Sequence, residues 1–164
     1  MLSVGTFSKV LYPSVRLGYT VAPAELLPVL RERKRLSDHH TNPVYQLALA
    51  TFIMDGTLEK HIRRMKREYR ARRGCLIEFL RQSFGDSIQI SGEASGMNLV
   101  AAFRDVCFTN ENIQRLLRCG VYAIPVERQG QRSNGLILRY AGLTKAELSL
   151  GVERLREVIE HINM

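Results

Sequence analysis

The chain has 164 residues, 45% apolar and 24% charged, with a formal net charge of +8. That is enough for one domain with a real core or for part of a larger one, and no run of about eighteen apolar residues offers a membrane span. Met1-Leu2-Ser3-Val4-Gly5 lacks the parts of a secretion signal, and Cys75, Cys107 and Cys119 have no metal-type spacing, so a cytoplasmic protein without a bound metal is expected.

Val4 to Phe7 reads as the end of a strand feeding Ser8-Lys9 and a loop marked by Pro13, and Arg16–Ala22 reads as a second strand. Ala24–Ser37 has helical character, with Pro28 tolerable only near its start. His39-His40-Thr41 is a solvated break. Asn42 then caps a helix that has Pro43 first and runs to Met54. Thr57 is expected to cap a long helix with Leu58, Ile62, Met65, Tyr69, Leu76, Phe79 and Leu80 at helical spacing, ending near Gly85. Ser87–Ser91 and Met97–Phe103 read as strands, the second central. Thr109 caps a helix closed by Gly120, Val121–Pro125 and Leu136–Ala141 are strands, and Thr144 and Glu147 form a capping box for the last helix. The order β-β-α-β-β-α over Ser87–Met164 describes a compact α/β sandwich.

Arg63, Arg64, Lys66, Arg67, Arg70, Arg72 and Arg73 place much of the positive charge in one predicted helix. No aromatic stripe, helix-turn-helix or zinc-finger pattern accompanies them. They read as a solvated face, and direct nucleic-acid binding is not expected.

The stretch that carries chemistry is Gly5-Thr6-Phe7-Ser8-Lys9-Val10-Leu11-Tyr12-Pro13-Ser14-Val15-Arg16-Leu17-Gly18-Tyr19. A lysine leaving a buried strand end, with a cation nearby, can lose its proton to desolvation and attack an aldehyde. Thr6, Ser8 and Arg16 are donors suited to a phosphate. Pyridoxal 5'-phosphate (PLP) carries both groups. Ser-Lys pairs are common, so the pattern alone leaves a surface lysine at a strand end as the alternative.

The segment resembles the lysine motif of fold-type I aminotransferases: Gly-Ser/Thr-Phe-Ser-Lys, a proline four residues after the lysine, then Arg-x-Gly-Tyr. The step from Lys9 to Arg16 across Pro13 resembles the aminoadipate-type aminotransferases. It resembles even more the aminotransferase-like domain of MocR-type regulators of the GntR superfamily. Gln46–Asp55, His61–Arg67 and Tyr69–Arg73 resemble the MocR pattern, and Gly96-Met97-Asn98-Leu99-Val100 and Gly120-Val121 fit its small domain. The likeness covers essentially the whole chain.

The resemblance implies an α/β fold, the C-terminal segment of the fold-type I PLP transferase fold. Residues 1–56 would be a two-strand remnant of the PLP-binding large domain, and residues 57–164 a long connecting helix with an α/β small domain. Lys9 would be the catalytic lysine that bonds PLP and moves protons, with Thr6, Ser8 and Arg16 on its phosphate. A strand arginine of the family grips the substrate carboxylate in an Arg-x-x-aromatic-Ala setting. Anchoring on Tyr140-Ala141 puts Ile137 there, whereas Arg139 lies two residues on and keeps the same sheet face. Both positions stay open. Asn98 is read as facing the site or satisfying local backbone, and Tyr12 as contacting cofactor or substrate or, more simply, as packing the loop.

The family's other cofactor contacts, a phosphate loop, a stacking aromatic and an aspartate for the ring nitrogen, come before the lysine, and this chain starts one strand ahead of it. The expectation is a truncated class I/II aminotransferase-like protein with little or no transaminase activity alone, related to an amino acid or amine ligand. The alternative is the effector-sensing and dimerisation part of a MocR-type regulator without its DNA-binding domain. A homo-oligomer or a complementary N-terminal partner is expected, and residues 1–56 should expose apolar surface that a larger sheet would cover.

Overall fold

The computed structural model describes residues 1–92, 96–128 and 130–162; Asn163 and Met164 of the expected C-terminal domain lie outside them. The chain divides into two compact units, Met1–Arg64 and Met65–Met164. The boundary between these units falls inside one continuous helix.

In the first unit, β1 (Ser3–Thr6) and β2 (Gly18–Val21) pair antiparallel from Ser3 opposite Val21 to Thr6 opposite Gly18. A Cβ on Gly5 would run into the Tyr19 ring, so a larger residue there would have to displace that side chain. A 3-10 turn at Ala24–Leu26 precedes α1 (Leu27–Asp38). The predicted single helix is split because Pro28, which has no N–H, must sit in the first α-helical turn. The helix α2 (Pro43–Met54) is capped as expected, with Asn42 Oδ1 accepting from the Val44 N–H at 2.9 Å.

Within residues 1–64 only Leu17 and Leu58 are buried. Val44, Leu47, Ile53 and Met54 of α2 are exposed, as are Val4, Tyr19 and Val21 of the ribbon. A helix this apolar around its circumference ordinarily belongs in an interior.

The long helix α3 (Thr57–Phe84) begins at Thr57 rather than after it. Thr57 is not the cap: its N–H donates to Asp55 Oδ1 at 2.8 Å, and the Lys60 N–H to the Gly56 carbonyl at 3.2 Å. The basic run divides by role. Arg63 pairs with Glu59, and Arg72 Nη1 donates to the Ala141 carbonyl. Arg73 Nη2 reaches the Gly92 carbonyl at 3.2 Å, while Arg64, Lys66, Arg67 and Arg70 are exposed.

The second unit has a four-stranded antiparallel sheet in the order β3-β4-β6-β5, from β3 (Ile88–Ser91), β4 (Asn98–Phe103), β5 (Ile124–Arg128) and β6 (Gln131–Arg139). The helices α4 (Asn110–Arg118) and α5 (Lys145–Ile162) complete the predicted β-β-α-β-β-α order. Leu99, Ala101 and Phe103 of β4 and Leu136, Leu138 and Tyr140 alternate onto the buried face, where they meet Leu76, Leu80, Leu116, Leu148, Val152 and Leu155. The opposite face, with Asn98, Ile137 and Arg139, is less covered.

Both predicted caps form. Thr109 Oγ1 accepts from Asn112 N–H, and Glu147 Oε2 accepts from the Thr144 N–H and hydroxyl at 2.7 Å each. Gly120 (φ 76°) closes α4 as expected, its N–H going to the Leu117 carbonyl and that of Val121 to Leu116. That closure commits Gly120 and Val121 to the helix end, so β5 begins at Ile124, not Val121. The strand β6 starts at Gln131, not Leu136: its polar N-terminal half is strand because it pairs with β5, a reason hydropathy does not carry.

Candidate functional site

The lysine segment is a turn grown from the end of the β1–β2 ribbon. The ladder runs one step past Thr6, where the Phe7 N–H donates to the Leu17 carbonyl at 3.0 Å. Ser8 and Arg16 are the next residues on the two arms. The N–H groups of Val10 and Leu11 then fold back onto the Phe7 carbonyl at 3.1 and 2.8 Å, which closes the turn containing Lys9. Thr6 Oγ1 accepts from the Ser8 N–H at 3.1 Å and donates to the Leu17 carbonyl at 3.4 Å. The Phe7 and Tyr19 rings meet in a tilted contact, 5.4 Å between centroids, and brace the ribbon.

Arg16 ends the 3-10 turn Pro13–Val15 in the left-handed region (φ 51°), with its N–H on the Pro13 carbonyl. A non-glycine residue there carries backbone strain. Lys9, Thr6, Ser8 and Arg16 thus gather at one end of the ribbon in the first unit. The strand is not buried, however. Lys9 is exposed, as is most of β1, so the desolvation expected from the sequence is not supplied by these residues. Among the described residues the ribbon has two strands, and a two-stranded ribbon cannot bury its own end.

His61 was not legible as part of this segment. Its Nε2 donates to the Val10 carbonyl at 3.1 Å and so ties down the residue after Lys9 from 51 positions away. Nothing in the local sequence of either residue signals that bond. Tyr12, 56% exposed, lines an apolar recess with Leu11, Val15, Tyr45, Leu49 and Phe52.

Arg139 belongs to the second unit, at the end of β6 and directly opposite Asn98; both are exposed. Ile137, opposite Val100, is half-buried on the same sheet face. Tyr140, on the other face, is buried and donates from its hydroxyl to the Gly96 carbonyl at 2.8 Å; burial raises its pKa above the usual tyrosine value.

The fold is a mixed α/β arrangement that matches the C-terminal part of solved aminotransferases. The structure of a multiple substrate aminotransferase from Thermococcus profundus superposes with a TM-score of 0.85 at 25% identity, over 99% of this chain and 41% of that one. LysN, the alpha-aminoadipate aminotransferase of Thermus thermophilus, solved with N-(5'-phosphopyridoxyl)-L-leucine, gives 0.84 at 25% identity, over 99% and 42%. Residues 1–155 match the family aminotransferase class I and II, and the chain belongs to that family. The family is PLP-dependent.

Among curated relatives, the probable rhizopine catabolism regulatory protein MocR of Rhizobium meliloti is 33% identical over 95% of this chain and 32% of its own length. The uncharacterized HTH-type transcriptional regulator YhdI of Bacillus subtilis strain 168 is 31% identical over 95% and 34%. The chain therefore spans about a third of the length of these regulators. No helix among the described residues is long and apolar enough to cross a membrane.

Proposed function

We propose that this chain is the lysine-bearing, C-terminal part of a PLP-dependent class I/II aminotransferase-like protein, with Lys9 as the residue that bonds the cofactor. The observation that carries the reading is the turn at the ribbon end, which holds the exposed Lys9 together with Thr6, Ser8 and Arg16 inside a family match that spans it. Residues 1–56 are assigned to the cofactor-binding domain, and residues 57–164 to the connecting helix and small domain.

The donor set fits the aldehyde and phosphate end of PLP. Lys9 offers an amine, Ser8 a hydroxyl and Arg16 a planar pair of N–H donors, while the Thr6 hydroxyl, which donates to the Leu17 carbonyl, would have to turn to reach a phosphate. Four of the five acidic side chains of residues 1–64 are engaged elsewhere: Glu32 with Arg35, Asp38 with Lys34, Asp55 with the Thr57 N–H, and Glu59 with Arg63. The fifth, Glu25, sits in the 3-10 turn before α1. These residues thus support one end of the cofactor and not its ring nitrogen. When bound, PLP supplies an electron sink for bonds at the substrate's α-carbon. In this reading Thr6 and Ser8 orient the phosphate, His61 holds the turn, and Lys9 moves the proton. Arg139 is the candidate for a substrate carboxylate, with an amino acid or amine as ligand. Transamination by the chain alone is expected to be negligible, and the exposed face of α2 suits a second copy or a complementary N-terminal polypeptide.

The test is borohydride reduction of the purified chain with PLP, followed by peptide mass mapping. Label concentrated on Lys9 and absent from Lys9→Ala supports the reading. Label spread evenly over Lys34, Lys60, Lys66 and Lys145 defeats it.

A second reading rests on the relatives above 30% identity named here, which are regulators. In it the same segment senses an amino acid or amine and mediates dimerisation, with PLP retained and no turnover.

A further inference from the structure

A cavity of about 280 Å3 opens in the second unit between α5, β6, α3 and the loop after α4. Its walls are chiefly aliphatic, formed by Leu76, Leu138, Leu148, Val152 and Leu155, with half-exposed Leu143 at the rim. Two features distinguish it from a packing gap.

Gly151 lies inside α5 and lines the cavity, and a Cβ built there would meet nothing within 4 Å. Glycine within a helix costs stability relative to alanine, so the residue keeps the wall open against local helix preference. Arg154, one turn on and partly buried, swings its guanidinium over Gly120, with Nη1 2.8 Å from where a Cβ would stand. Among the described residues it has no hydrogen bond or ion pair. The Glu147 carboxylate in the same lining is already bonded to Thr144. The cavity therefore joins an aliphatic interior to one unpaired guanidinium, and a partly buried guanidinium gains most from a carboxylate that it can grip with two N–H groups.

We propose that this cavity binds a small amphipathic anion: a monocarboxylate whose short aliphatic body fills the pocket while its carboxylate pairs with Arg154. The volume lies at the lower end for small-molecule sites, which limits the ligand to a short or branched chain. The pairing is assigned to Arg154, so it stands or falls separately from the lysine segment.

The experiment is calorimetric titration of the intact chain with 4-methylpentanoate, with 4-methylpentanamide as the uncharged probe. Saturable binding of the acid is expected, weakened roughly tenfold or more by Arg154→Gln and by exchange of acid for amide. Gly151→Leu should abolish binding by filling the space. Gly151→Ala, which improves helix propensity, should keep a cooperative unfolding transition and weaken binding, so loss of fold in the leucine variant does not decide the matter. Lys9→Ala should titrate as the unaltered chain does. Absence of saturation, equal affinity for acid and amide, indifference to Arg154→Gln, or loss of binding in Lys9→Ala would each overturn the proposal.

Discussion

The Ser8 backbone N–H donates to Thr6 Oγ1 at 3.1 Å, while the same hydroxyl donates to the Leu17 carbonyl. One side chain thereby ties the start of the lysine turn to the opposite arm of the ribbon. Thr6→Val keeps the shape and removes both bonds. Expected is a several-fold rise in the PLP concentration needed to label Lys9, with Thr6→Ser restoring it, since an exposed neutral bond is worth about 1 kcal/mol. Labelling curves for the three chains check this, and coincident curves would remove Thr6 from the site.

The bond from His61 to the Val10 carbonyl gives a second prediction about the same turn. His61→Leu should speed amide exchange at Val10 and Leu11 and reduce the preference of the label for Lys9. Exchange confined to α3 would instead mark His61 as a helix residue without influence on the turn.

Tyr140 anchors the second unit through its hydroxyl bond to the Gly96 carbonyl. Tyr140→Phe is expected to lower the stability of that unit by about 1–2 kcal/mol by leaving the carbonyl without its partner. Leu80→Ala, at a fully buried position, should cost about 2–5 kcal/mol. Denaturant unfolding followed by far-UV dichroism measures both.

The Thr144 N–H and hydroxyl hold the Glu147 carboxyl below the ordinary glutamate value. Because the folded value is depressed, the stabilisation is present above the unfolded value near 4.5 and is lost as pH falls through the folded one. Below pH 4.5 the start of α5 should loosen progressively. Carboxyl NMR titration should find a lower midpoint for Glu147 in the unaltered chain than in Thr144→Ala.

The contrast in burial predicts unequal protection. Amides of α2 and the β1–β2 ribbon should exchange far faster than those of β4, β6 and α5, and the chain should self-associate through its apolar N-terminal surface. A monomer with uniform protection across residues 1–56 contradicts this.

Local chemistry was legible in the sequence wherever the cause is local. The caps at Asn42, Thr109 and Thr144, the glycine stop at Gly120, and the alternating apolar positions of β4 all follow from residues within a turn or two of one another. The family likeness was legible too, because it lies in the order of Gly5, Thr6, Ser8, Lys9, Pro13 and Arg16. The tertiary structure decided what depends on distant partners. Pairing with β5 made the polar residues Gln131–Asn134 a strand, and Asp55 and Gly56, rather than Thr57, began α3. His61 reached the lysine turn from 51 residues away, and Lys9 proved exposed because among the described residues no further strand pairs with the ribbon. Hydropathy and spacing report what a residue can do. Pairing, burial and a remote hydrogen bond depend on which other residue arrives beside it, and only the folded chain determines that.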